Sequence, residues 1–64
     1  MNKYTIIYCF TDKDNKIICD IYDREEYYKE VAYASNRNQA VLRFLNYFKG
    51  LLEPTIVSIE EEVL

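Results

Sequence analysis

The side chains that could carry chemistry in this chain are carboxylates, tyrosines and thiols. The sequence has 11 Asp and Glu, seven Tyr, two Cys and no His. Without histidine, the usual general base for a nucleophile is missing, and two cysteines are too few for a structural zinc site. A single Gly leaves no glycine-rich loop to hold a phosphate group. We therefore expect a chain that is not an enzyme and binds no metal or other cofactor.

The carboxylates occur in two runs, DREE at residues 23–26 and EEE at residues 60–62. A catalytic carboxylate pair needs a concave pocket that shifts a pKa, and 64 residues provide little interior for one. The EEE run is typical of a strand end that resists edge-to-edge aggregation. Both runs could also imitate the phosphates of DNA, although a net charge of −3 is small for that role.

The two cysteines, Cys9 and Cys19, are separated from Asp14 by the same number of residues in the sequence. A hairpin turn centred there would place Cys9 opposite Cys19, where a disulfide could form. The alternative is two reduced thiols that serve as small core residues in a cytoplasmic protein. The absence of a signal-peptide pattern and of an apolar run near 20 residues favours that alternative and predicts no membrane association.

The stretch YTIIYCF, residues 4–10, is apolar on both faces that it would have as a strand. With the turn DKDN and the segment KIICDIY at 16–22, it predicts a β-hairpin of residues 3–11 and 16–22. One face would be aliphatic: Thr5, Ile7, Cys9, Ile17, Cys19 and Ile21. The other would be largely aromatic: Tyr4, Ile6, Tyr8, Phe10, Ile18, Asp20 and Tyr22.

The segment YYKEVAYA, residues 27–34, is compatible with a third strand or with the start of a helix. The cluster SNRNQ at 35–39 favours the strand, because its residues suit the beginning of a helix better than its middle. Asn36 and Gln39 resemble a capping box, with Ser35 as an alternative cap.

A helix over about 36–49 is predicted by apolar residues at i, i+3, i+4 and i+7 and by Gly50 at its end. These positions are Val41, Phe44, Leu45 and Phe48. Pro54 prevents the helix from continuing, and residues 55–63 predict a last strand. Val57, Ile59 and Val63 would face one way, and Ile56, Ser58, Glu60 and Glu62 the other.

Together these elements predict one α+β domain spanning residues 1–64, without internal repeats. It would have a three- or four-stranded, mainly antiparallel sheet with one helix packed on one face, in the order β-β-(β)-α-β. One helix covers only one face, and we expect it to cover the aliphatic one.

The aromatic face would then form a binding interface for a protein partner or for a second copy in a homodimer. Its predicted residues are Tyr4, Tyr8, Phe10, Asp20, Tyr22 and Tyr28. The alternative is an ordinary solvated sheet face whose tyrosine hydroxyls point outward. Stacking on single-stranded nucleic acid is a further alternative, disfavoured by the acidic neighbours and the net negative charge.

Two stretches carry a resemblance to known proteins, VAYASNRNQAVLRFLNYF at 31–48 and TIVSIEEEV at 55–63. The run of strand, cap, helix and strand resembles small proteins of Gram-positive phages and mobile elements. In outline it is also similar to the archaeal ribosomal LX domain, but it lacks the basic residues that bind rRNA there. The phage-like resemblance implies an accessory or host-takeover protein that binds a host protein in the host cytoplasm.

Overall fold

The strands of this protein form an antiparallel sheet with one helix packed on it, as the computed structural model of all 64 residues shows. The elements in chain order are β1 (Asn2–Cys9), β2 (Tyr28–Ala34), α1 (Arg37–Tyr47) and β3 (Thr55–Val63). The sheet has three strands in the order β2-β1-β3, so β1 is central and β2 and β3 are edges. The predicted α+β class is confirmed.

The strand that pairs with β1 is not the one that the predicted hairpin contained. Residues 16–22 form no strand, and β1 pairs instead with β2, in a register that places Tyr4 opposite Ala32. The hairpin around Asp14 survives only as the bridge Thr11↔Ile17. The segment 28–34 is a strand, as the cap cluster after it indicated.

The connection between β1 and β2 contains the same turn twice, eight residues apart. The Asp12 Oδ1 atom accepts hydrogen bonds from the amides of Asp14 and Lys16, at 2.8 and 3.0 Å. The Asp20 Oδ1 atom accepts from Tyr22 and Arg24 in the same way, at 2.8 and 3.1 Å.

Each turn has its left-handed residue at the same position, Asn15 or Asp23, with φ of 61°. The bridges Thr11↔Ile17 and Cys19↔Glu25 close the two turns. The two turns therefore share one local backbone geometry. The first turn keeps Ile17 and Ile18 beside Thr11 and Phe10, and the second turn follows before the segment could extend along β1.

Helix α1 begins where the sequence predicted. Asn36 is the N-cap, and its side chain accepts a hydrogen bond from the Gln39 amide at 2.8 Å. The Gln39 side chain accepts in turn from the Ser35 amide at 2.8 Å. The helix ends at Tyr47, two residues before the predicted end, and Gly50 follows with a φ of 81° that suits glycine.

The helix covers the aromatic face of β1, which reverses the predicted orientation of the sheet. Tyr4, Ile6 and Tyr8 are buried, and Ile6 and Tyr8 pack with Phe44 of α1. Tyr4 packs where Ala34 and Ala40 let the helix approach the sheet closely. The part of the predicted aromatic face that lies on β1 is thus the core.

The neighbouring strands explain this orientation. The opposite face carries Thr5 and Ile7 on β1, and polar side chains flank both of them. Thr5 lies beside Glu60, and Ile7 lies between Lys29 and Ser58. That face suits water. The Tyr4 face has Ala32, Ile56 and Ile59 as apolar neighbours, together with Glu30 and Glu61.

The two faces of β3 also differ from the prediction, because the strand contains an irregularity. Ile7 pairs with Ser58 and Tyr8 pairs with Ile56, which leaves Val57 unpaired. The extra residue turns both Ile56 and Ile59 towards the core, although an uninterrupted strand would place them on opposite faces.

The cysteines are both free, Cys9 buried and Cys19 exposed. Cys9 pairs along β1 with Thr55 of β3 rather than with Cys19. The prediction that both thiols are core residues is therefore correct only for Cys9. No helix in the structure has the length and apolar character that a membrane crossing requires.

Candidate protein interface

Two of the predicted interface residues lie inside the protein. Tyr4 is 1% exposed and Tyr8 is 7% exposed. The Tyr4 hydroxyl donates to the Glu61 carboxylate at 2.9 Å, which satisfies its polar tip without a partner protein. The prediction that these two rings form an outward binding face is wrong, because the protein's own helix covers them.

Phe10 and Tyr28 belong to an aromatic cluster at the end of this core. The cluster consists of Tyr8, Phe10, Tyr28, Phe44 and Phe48. The rings of Tyr8 and Tyr28 stack with centroids 5.5 Å apart, and Phe10 contacts both Tyr8 and Phe48 at 5.9 Å. Phe10 is half-buried and Tyr28 is at the rim.

Two tyrosines of this cluster have a raised pKa. Burial raises the pKa of Tyr8, and the negative charge of Glu30 adds to the shift. The Tyr28 hydroxyl donates to the Glu26 carboxylate at 2.6 Å, and this hydrogen bond is the main cause that raises its pKa. Both hydroxyls therefore ionise at a higher pH than an exposed tyrosine.

Tyr22 and Asp20 lie in the second turn, away from the cluster. The Tyr22 ring is exposed, with the Arg24 guanidinium carbon 4.9 Å from its centroid. Asp20 is engaged in closing the turn and in an ion pair with Arg24 at 3.3 Å. The structure therefore does not bring the predicted interface residues together on one surface, and a binding role for Tyr22 or Tyr28 stays a prediction.

A different feature is accessible, the outer edge of β2. The Tyr33 carbonyl oxygen accepts a hydrogen bond at 2.6 Å from the Arg43 guanidinium of α1. Backbone groups in an antiparallel pair alternate between facing the partner strand and facing away from it. The backbone N–H and C=O groups of Lys29 and Val31 therefore point away from β1, as those of Tyr33 do. No strand pairs with these groups on that side.

A groove of about 230 Å³ runs along this edge, between β2 and α1. Residues 30–33 form its strand side, and Arg43, Phe44 and Tyr47 are among its helix residues. Its floor is apolar where Ala32 meets Phe44, and its rim carries the exposed side chain of Tyr47. A side chain of an added strand could enter this groove.

The other edge of the sheet is different in charge. β3 carries Glu60, Glu61 and Glu62 in succession. Glu61 accepts a hydrogen bond from the Tyr4 hydroxyl, and the Glu62 carboxylate lies 3.9 Å from the Lys3 ammonium group. Glu60 makes no ion pair. Like charges at an edge oppose the addition of another strand, and β2 has no such run.

A larger concavity of about 360 Å³ lies at the C-terminal end of α1 and is lined in part by Leu42, Leu51 and Pro54. It borders no free strand edge. No group of three or more Cys, Asp or Glu side chains is arranged to hold a metal ion.

Comparison of the chain with protein-family models, curated proteins and solved structures finds no significant match.

Sequence reasoning missed the β2 edge because it paired β1 with the wrong segment. A signal was present nevertheless. The acidic run lies on β3, whereas YKEVAYA at 28–34 carries one Lys and one Glu and no Pro. Of the two edge strands, only β3 carries a run of like charges, which opposes the addition of another strand.

Proposed function

We propose that this chain is a small non-enzymatic protein-binding module that takes up an extended polypeptide segment along β2. The accessory or host-takeover role implied by the phage-like resemblance, in the cytoplasm of a host, is part of the proposal. The observation that carries it is an unpaired edge strand beside an apolar groove, on a sheet whose other edge bears three successive glutamates.

The chemistry of such binding follows from the backbone. An added strand would pair with the outward groups of Lys29, Val31 and Tyr33, which provides affinity without demanding a particular sequence. Alternate side chains of that strand would lie over the groove, where Phe44 and Tyr47 select apolar residues. Neither step requires a reactive side chain.

The surface of the chain supports a binding role. Its accessible area is 5055 Å², against about 4,300 Å² expected for a monomer of 7.7 kDa. Its radius of gyration is 12.9 Å, against about 11 Å for a compact chain of this length. Only eight of 64 residues are buried, so burial against a partner would add substantially to the apolar area removed from water.

The base-stacking alternative depended on exposed tyrosine rings on the sheet. Tyr4 and Tyr8 are covered by α1 and cannot stack on bases. Titration with labelled single- and double-stranded oligonucleotides at two salt concentrations separates the two functions. Salt-sensitive binding would favour the nucleic-acid function over the protein-binding module.

A displayed library of random peptides tests the proposed function directly. Peptides selected on the wild-type chain should lose at least about tenfold in affinity for Val31→Lys, since the added charge lies on the β2 edge. Val57→Lys is the matched control, because it makes the same change at an exposed residue of β3. Selected peptides that bind both variants equally would overturn the proposal.

A further inference from the structure

We propose that the segment that occupies the β2 edge is β2 of a second copy, paired antiparallel about a twofold axis at Val31. This inference rests on the proposed function, because it uses the same edge and groove. It adds the identity of the partner and the register of the contact.

The register follows from the strand itself. Val31 is the midpoint of Tyr28–Ala34, so a twofold axis there pairs all seven residues of β2. Val31 then faces its own copy, and Lys29 faces Tyr33 of the second copy. These are the residues whose backbone groups point outward, as an antiparallel ladder requires. The Tyr33 carbonyl oxygen has two lone pairs and can accept from both Arg43 and the added strand.

Other registers are less favourable. An axis at Glu30 would place two glutamates directly opposite each other, which is destabilising. An axis at Ala32 would leave Tyr28 and Lys29 without partners within the second strand. The register centred on Val31 is the only one of the three that combines full overlap with no like-charge pair.

Charge complementarity at the groove provides an independent argument. Glu30 and Arg43 both line the groove, yet neither forms an ion pair within the chain. In the twofold arrangement, Glu30 of the second copy lies opposite Ala32, on the side of the sheet covered by α1. The Arg43 guanidinium reaches the strand at Tyr33, one residue away. Two symmetric contacts between Arg43 and Glu30 would therefore form across the axis.

The assembly would be closed. An axis perpendicular to the sheet keeps both helices on one face, and the two β2 strands meet at the centre of a six-stranded sheet. The new outer edges are the two β3 strands with their glutamates. Such a dimer leaves no free edge suited to further addition, so it would not grow into a filament.

A charge-exchange series with sedimentation equilibrium tests this arrangement. The wild-type chain should show a mass of twice 7.7 kDa as concentration rises through the micromolar range. Glu30→Lys and Arg43→Glu should each weaken association at least about tenfold, and the double variant should recover most of that loss. Glu60→Lys on β3 is the control and should associate as the wild type does. Far-UV circular dichroism checks that each variant is folded.

Each contrary outcome has a distinct meaning. A wild-type chain that stays monomeric into the high micromolar range overturns the dimer, while β2-dependent binding of library peptides would leave the proposed function standing. A dimer that neither single variant weakens also overturns this arrangement. If a charge variant fails to fold, Val31→Lys places two lysines together at the axis, and undiminished association of that variant is equally contradictory.

Discussion

The ring of Tyr8 packs edge-on against the ring of Phe44, with centroids 4.9 Å apart and planes at 64°. This contact joins the central strand to the helix that covers the internal face of the sheet. Replacing Phe44 by Ala should lower the free energy of unfolding by about 3–5 kcal/mol, because a buried ring is lost and its cavity remains. Chemical denaturation at low protein concentration measures the change.

Leu42→Ala is the matched control on the same helix, since Leu42 is 68% exposed. It should change the free energy of unfolding by no more than about 0.5 kcal/mol. Similar effects of the two substitutions would mean that α1 does not bury Phe44 against β1.

The second aspartate-closed turn provides a stabilising substitution. Asp23 has a φ of 61°, in the left-handed region that glycine adopts without steric cost. Asp23→Gly should raise the free energy of unfolding by up to about 1 kcal/mol. Asp14→Gly is the control in the first turn, where φ is not positive, and it should lower stability. A destabilising Asp23→Gly would contradict the turn geometry.

The two thiols should react at very different rates. Cys9 is 2% exposed and Cys19 is open to solvent. A disulfide-exchange reagent should therefore modify Cys19 in the folded protein and reach Cys9 only on unfolding. Partial desolvation and the carboxylates of Asp23 and Glu25 raise the pKa of Cys19, so it should react more slowly than an unstructured cysteine.

Cys19→Ser is the control for the thiol measurement, and it should leave only slow labelling until denaturant is added. Rapid labelling of both thiols in the native wild type would show that the β1 end of the core is open.

Alkaline pH should destabilise the fold. The pKa values of Tyr8, Tyr27 and Tyr28 are raised above the ordinary value of 10.0, chiefly by burial for Tyr8, by partial desolvation for Tyr27 and by the Glu26 hydrogen bond for Tyr28. The unfolded chain ionises first as pH rises, so these groups stabilise the fold fully below about pH 10 and lose that contribution above it. The pKa of Cys19 is raised above 9.0, so ionisation of this thiol also destabilises the fold, beginning at a lower pH.

Denaturation at a series of pH values measures this effect. Tyr28→Phe should reduce the alkaline loss of stability, because it removes one of the titrating groups. A free energy of unfolding that rises above pH 10 would have the opposite sign to the one expected from these shifts.

The sequence predicted the elements with local signals. The Asn36 cap with Gln39, the apolar spacing from Val41 to Phe48 and the β-branched run after Pro54 each depend on neighbours within a few residues. The structure confirms the helix start, β3 and the choice of strand for β2. Such patterns specify an element without reference to the rest of the fold.

Local patterns could not predict which strand pairs with β1 or which face of β1 is buried. The hairpin with 16–22 satisfied every local rule. In the structure its pairing stops after Ile18, and the Asp20 turn follows directly. The choice of inner face then depended on residues distant in sequence, Ala32 on β2 and Ile59 on β3. Because both faces of β1 are apolar, only those neighbours decide the orientation.

The predicted interface was wrong where it depended on that orientation. Tyr4 and Tyr8 were predicted at the surface but lie in the core. The accessible features are the β2 edge and Arg43, and no sequence motif identifies either of them. The broader prediction of a protein-binding module that can pair with itself depends on this edge instead.

The amide of Val31 provides the most direct test of the claim that the β2 edge is where this protein meets a partner strand. Its hydrogen exchange can be measured by NMR at low and high micromolar protein concentrations. Pairing about Val31 predicts protection that increases with concentration, while the amides of the exposed turn residues stay unchanged. A Val31 amide that exchanges as fast as those turn amides at every concentration would contradict the account.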